Sequence, residues 1–259
     1  MLPGERHGKN NWLCKDKNPG RMQSRGVTGV YKTNIHQDRP LVNPFSYSPG
    51  IIQALETALS AERLTAYLRV TSGDRERALR LYLWNTEISA AFYGPLQGVE
   101  VALRNALHRE LSRVFGTSWY DAPAMPLAAR AQDLIREAKA AIAHSRKPVI
   151  PPRVVAALSF GFWVSLLGPG PSGLYEMRLW RPILHHAFPH AKLPRKDVHH
   201  PLDQLRLLRN RIAHHEPIFT RPLAEDSQSV FQILSWICPE TATWVAHHST
   251  VPTVLAARP

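Results

Sequence analysis

Apolar residues return every three to five positions along most of this chain and never alternate for long, which is the rhythm of helices and not of strands. After Ser48-Pro49-Gly50, a favourable helix start, Ile51, Leu55, Leu59, Leu64 and Leu68 mark one apolar stripe. Asp74 predicts the N-cap of a second helix. Glu76 and Arg77 fall in its first turn, Leu79, Leu83, Ile88 and Phe92 are its apolar positions, and Gly94-Pro95 interrupts it. A third helix is expected from Pro95 to about Phe115 on Val99, Leu103, Ala106, Leu107 and Val114, closed by Gly116. Further helices are expected over 127–144, 154–167, 175–188, 198–215 and 227–247.

Many helices with short connections and no repeating period predict an all-α helical bundle. Its main domain is expected over 46–248. Residues 1–45 are rich in Gly, Asn, Lys, Arg and Pro without a sustained apolar period, which predicts a disordered basic tail; Met22 within it offers an alternative start. Residues 249–259 are expected to be a flexible C-terminal tail. Tryptophans at 84, 119, 163, 180, 236 and 244 are expected to pack in the core.

Charge narrows the choice of partner. The 259 residues carry 32 Lys and Arg against 20 Asp and Glu, a net +12. Eight basic and three acidic side chains within residues 1–40 account for +5, so +7 lies on the rest of the chain. A polyanionic partner is expected, and charge alone does not choose RNA over DNA. Cys14 and Cys238 are too few and too far apart for a disulfide framework or a thiolate metal site, which suits a reducing cytoplasm. The N-terminus lacks the apolar core of a signal peptide. The longest uncharged apolar run, Val154 to Gly168, has fifteen residues where a membrane span needs about 20, so no membrane association is expected.

The densest chemistry lies in LRLLRNRIAHHEPI, Leu205 to Ile218. Arg209 offers a planar fork of donors that grips phosphate, and histidine exchanges protons near neutral pH. On a helical wheel Leu202, Leu205, Leu208 and Ile212 share an apolar stripe, while Asp203, Arg206, Asn210 and His214 cluster elsewhere. Arg209 and His214 fall about 140° apart, so one straight helix does not bring them together. Either the terminal turn before Pro217 loosens and re-aims the histidines, or a second copy supplies the missing group across a twofold axis. On the third helix Glu100, Arg104 and His108 are spaced four apart with Asn105 beside them. This stripe is either a helix-surface salt bridge or an auxiliary face turned toward Arg209. The pairs His185-His186, His199-His200 and His247-His248 do not suit one metal ion, since adjacent helical side chains diverge by about 100°; no metal and no cofactor are expected.

Arg209 followed by Asn210, three further residues and His214 resembles the signature of the HEPN (higher eukaryotes and prokaryotes nucleotide-binding) superfamily. The order of other segments is similar to the bacterial Abi-like (abortive infection) proteins. They are Tyr82–Leu111, FGTSWY at 115–120, LSFGFWVSLL at 158–167 and LWRPILHHAFP at 179–189, followed by Leu205–Phe219. The resemblance implies a HEPN-like bundle with additional helices and a homodimeric, metal-independent ribonuclease of phage defence. It also implies RNA as substrate and a neutralising antitoxin or phage trigger as further partners. In that chemistry His214 accepts the proton of an RNA 2′-hydroxyl, Arg209 neutralises charge on the phosphate, and Asn210 orients the histidine or the phosphate. The partner's own copy of the histidine protonates the leaving oxygen. His215 packs, caps or substitutes for His214. Competing readings are a non-catalytic RNA- or nucleotide-binding module and a plain interaction protein.

Overall fold

A computed structural model describes residues 45–259, and all the regular structure it describes is helical. The basic tail expected at 1–45 falls, but for its last residue, outside the described residues. The helices lie in one unit, Tyr47–Pro259. They are α1 (Pro49–Leu59), α2 (Ala61–Val70), α3 (Arg75–Phe115), α4 (Ala129–His144), α5 (Pro151–Ala157), α6 (Phe160–Ser165), α7 (Arg195–Ala213), α8 (Leu223–Ile237), α9 (Pro239–His248) and α10 (Val251–Ala256).

The second and third expected helices are one. Asp74 does cap the start, its carboxylate accepting the Arg77 N–H, and α3 then runs 41 residues through Pro95. Proline inside a helix costs about 3 kcal/mol through a lost hydrogen bond and a clash with the preceding turn. Against this, Ile88, Phe92, Leu96, Val99, Leu103, Leu107 and Leu111 are all buried along the same helix. At about 1.5–3 kcal/mol for each buried side chain, continuity wins. The register of a continuous helix also turns Leu83 and Val114 outward, correcting their expected place in the apolar stripe.

Elsewhere short polar signals divide expected helices. Ser60, at φ 72°, separates α1 from α2. The Ser159 hydroxyl accepts the Phe162 N–H and starts α6 afresh, so 154–167 is not one helix. Residues 175–188 hold only a π-helical turn, Glu176–Trp180, and a 3-10 turn, Leu184–Ala187, because Pro182 lies between them. Pro239 divides the expected 227–247 helix into α8 and α9.

Around α3 pack α1, α2, α6, α7, α8, α9 and α10. Trp84, Trp119, Trp163 and Trp180 are buried, and Trp236 packs against the core. Trp244 departs from its expected core place and is 66% exposed. The segment 249–259 is not a free tail. Val251 is fully buried, the Trp84 indole donates to the Val254 carbonyl at 2.8 Å, and the Arg258 guanidinium lies over the Trp84 ring. The apolar spacing Val251, Val254, Leu255 is too short to stand out as a helix in sequence.

His108 also changes role. Its Nδ1 accepts the Trp119 indole N–H at 2.9 Å, and burial pushes its pKa below the ordinary value. Folding therefore favours the neutral ring. The stability it adds is complete above the unfolded value near 6.5 and is lost as the pH falls from there through the lowered folded value. His199, also lowered mainly by burial, adds in the same direction.

Two outcomes are expected. A chain ending at His248 should melt about 5–10 °C lower than the full chain, since it exposes the Val251 site and leaves the Trp84 N–H unpaired; an unchanged melting temperature would mean that α10 contributes nothing. His108→Gln, which keeps an acceptor that does not titrate, should lose less stability than the parent between about pH 7.5 and pH 5.5 in paired thermal melts. An equal loss would remove His108 as a source of the pH dependence.

Candidate phosphate-binding cleft

The site is built where α7 leaves the bundle beside the middle of α3. Helix α7 begins at Arg195 and ends at Ala213, two residues short of the expected His215. Its end is closed by two backbone hydrogen bonds, Glu216 N–H to the Arg211 carbonyl at 2.8 Å and His215 N–H to the Ile212 carbonyl at 3.1 Å. This is the Schellman arrangement, which requires a left-handed residue in the next-to-last place of the motif and usually finds glycine there. Here it is His215, at φ 55°. A side chain in that conformation costs about 1 kcal/mol.

Three contacts hold the strained turn. The Arg63 guanidinium of α2 donates to the His215 carbonyl at 2.6 Å. The buried Asn85 of α3 accepts both the Ile218 N–H, at 2.8 Å, and the Phe219 N–H, at 3.2 Å, through one side-chain oxygen. Ile218 and Phe219 are themselves buried. Sequence reasoning singled out neither Arg63 nor Asn85; a polar Asn in an otherwise apolar helical position was the available signal.

A cleft of about 440 Å³ lies between α3 and the end of α7. Glu100, Arg104, Arg209 and Ile212 line it, with Tyr93 at its edge. The Glu100–Arg104 stripe therefore does face Arg209. Arg209 Nε lies 3.7 Å from Glu100 Oε2, too far for a hydrogen bond, and the two side chains are 43% and 25% exposed. An ion pair so exposed contributes at most about 1 kcal/mol, so an incoming anion can replace it at small cost. Among the described residues Arg104 has no ion-pair partner. Two guanidinium groups against one carboxylate leave the cleft net positive, suited to a phosphate.

The other candidates lie elsewhere. Asn105 lines a different groove, between α3 and α9. Ala213 is on the cleft wall, while His214, the exposed helix-capping residue, is not among its lining residues, and nor is half-buried Asn210. This is the divergence of Arg209 from His214 that the wheel demands. His215 faces solvent beside its anchored carbonyl. Sequence reasoning missed Tyr93, Gln97 and Val101, which also line the cleft. Gln97 and Val101 already share the expected third helix with Glu100 and Arg104, and Tyr93 joins their face once α3 is continuous.

Among the described residues no group of three or more His, Cys, Asp or Glu side chains is placed to hold a metal ion, and no helix is long and apolar enough to cross a membrane. No family model, no curated protein and no solved structure matches this chain.

Replacing the left-handed residue tests the strain directly. His215→Gly should raise stability by about 0.5–1 kcal/mol in denaturant titration, because glycine adopts positive φ without penalty. A loss of stability would show that the imidazole itself, and not only the turn, holds this segment.

Proposed function

We propose that this chain is a metal-independent endoribonuclease of the HEPN type, similar to the Abi-like proteins of phage defence, and that it works as a homodimer. The observation that carries this reading is the cleft in which Arg104 and Arg209 converge, with His214 exposed one residue beyond its wall. The arginines supply the phosphate grip. A histidine on an exposed helix end supplies the proton acceptor, and a second chain facing the first across a twofold axis brings it to the phosphate.

In the reaction His214 takes the proton of the RNA 2′-hydroxyl, whose oxygen attacks the adjacent phosphorus. The bond from phosphorus to the 5′-oxygen breaks. That oxygen leaves with a proton from the other histidine or from solvent, giving a 2′,3′-cyclic phosphate and a 5′-hydroxyl. Arg209 and Arg104 neutralise the charge that builds on the non-bridging oxygens, and Asn210 orients His214 from the same side of α7. DNA lacks the nucleophile and is spared. A nuclease of this kind has to be restrained in the uninfected cell, by a neutralising partner or by dependence on a phage trigger.

One observation favours a second reading. In a single chain Glu100 occupies Arg209 and His214 lies outside the cleft, which suits a module that binds RNA without cutting it.

Incubating purified protein with RNA in EDTA separates the two. The parent should cleave and leave cyclic phosphate ends, His214→Ala and Arg209→Ala should each be about a hundredfold slower or worse, and single-stranded DNA should survive. RNA bound but uncut by the parent would favour the binding module. Neither binding nor cleavage would defeat both readings.

A further inference from the structure

The two most exposed large apolar side chains among the described residues stand on either side of the same stretch of α3. Tyr93, 68% exposed, edges the arginine cleft; Trp244, 66% exposed, lines a groove of about 510 Å³ on the opposite flank. Gln97 and Val101 line both, forming a common ridge between them. Trp244 is seated firmly: next to it, Val245 is buried and comes within 3.1 Å of where a Cβ on Gly98 would stand, so α9 crosses α3 closely at that point. The His248 ring lies 5.4 Å from the Trp244 ring and backs it.

Each ring presents an uncovered aromatic face, and what the two rings adjoin indicates what covers them. Around a protein-binding patch charge is depleted at the centre. Here Tyr93 lines a cleft with two arginines, one of them without an ion-pair partner among the described residues, and the Trp244 groove, itself without Lys, Arg, Asp or Glu, adjoins that cleft across the Gln97–Val101 ridge on a chain of net charge +12. Aromatic faces set along a positive groove are the means by which proteins hold unpaired nucleotides: the arginines grip phosphates, and the bases stack on the rings. A base in a duplex cannot reach such a ring, because its faces are already covered by its neighbours.

We propose that Tyr93 and Trp244 are base-stacking platforms on either side of the phosphate cleft, so that a single-stranded RNA crosses the Gln97–Val101 ridge with a base on each ring. The proposal rests on the ribonuclease reading and adds the path of the substrate and the residues that select unpaired RNA. Stacking on an isolated ring tolerates every base, so this path selects strand state and not sequence. Both residues are surface side chains, which makes their replacement a test of binding and not of folding.

The test measures binding of full-length protein in EDTA by fluorescence anisotropy, over a range of salt. The probes are a short single-stranded oligoribonucleotide, its duplex, and an abasic ribose-phosphate strand of equal charge. Tyr93→Ala and Trp244→Ala should each weaken binding of the single strand roughly tenfold, while Tyr93→Phe and Trp244→Phe, which keep a ring, should bind nearly as the parent does. Neither alanine change should alter the salt slope or affinity for the abasic strand; Arg209→Ala should reduce both. If the alanine variants bind the single strand like the parent while Arg209→Ala weakens it, stacking is overturned and the ribonuclease reading survives. If they leave RNA affinity intact but convert a dimer to a monomer in light scattering, the face is a protein interface and the proposal fails. If the parent binds none of the probes, the proposal falls together with the reading beneath it.

Discussion

The continuity of α3 through Pro95 is the constraint on which the rest of this bundle depends. Seven other helices pack on it, and its buried residues run from Ala78 to Leu111. The proline does not win because the two magnitudes are unequal. A disrupted turn costs about 3 kcal/mol, whereas the apolar side chains on both sides of Pro95 are worth several times that only while they share one axis. Continuity also sets function-bearing positions in register. Asn85 on the early half and Arg104 on the late half are rigidly related because nothing hinges between them.

That rigid relation positions the end of α7. Asn85 holds the backbone at Ile218 and Phe219, Arg63 holds the His215 carbonyl, and the left-handed turn between Ala213 and Pro217 is fixed from both sides. Arg209, four residues before Ala213, is thereby presented to the Glu100–Arg104 face. A turn that stores about 1 kcal/mol in a histidine, where glycine would relieve it, is the kind of local cost that persists when the surrounding contacts over-determine the backbone. The core and the cleft are thus coupled through one helix and one loop.

Much of this was legible in the residues. The helical class followed from periodicity, the start of α3 from Asp74, and the divergence of Arg209 and His214 from simple helical geometry. What was not legible depended on competition between terms. Gly94-Pro95 is a strong local stop signal, and only the tertiary burial of Phe92, Leu96 and Val99 overrides it. A break there hides that Tyr93 shares a face with Gln97, Glu100 and Arg104. The opposite error occurred at Ser159 and Pro182, where apolar spacing suggested longer helices than the hydroxyl cap and the missing N–H allow. Trp244 was assigned to the core on composition, and no pattern within α9 distinguishes an exposed tryptophan from a buried one. The short α10 was unreadable because its stability comes from Trp84, 170 residues away in sequence.

On the proposed reading, the cleft of one chain is completed by the histidine of another. Within one chain Arg209 and His214 face different ways, so a working site assembled in trans needs one intact arginine and one intact histidine on different chains. Mixing Arg209→Ala with His214→Ala, each inactive alone, and measuring RNA cleavage in EDTA tests this most directly. A measurable fraction of parental activity should return on mixing, through mixed dimers that hold one complete site. No recovery from variants shown by light scattering to exchange into mixed dimers would contradict it.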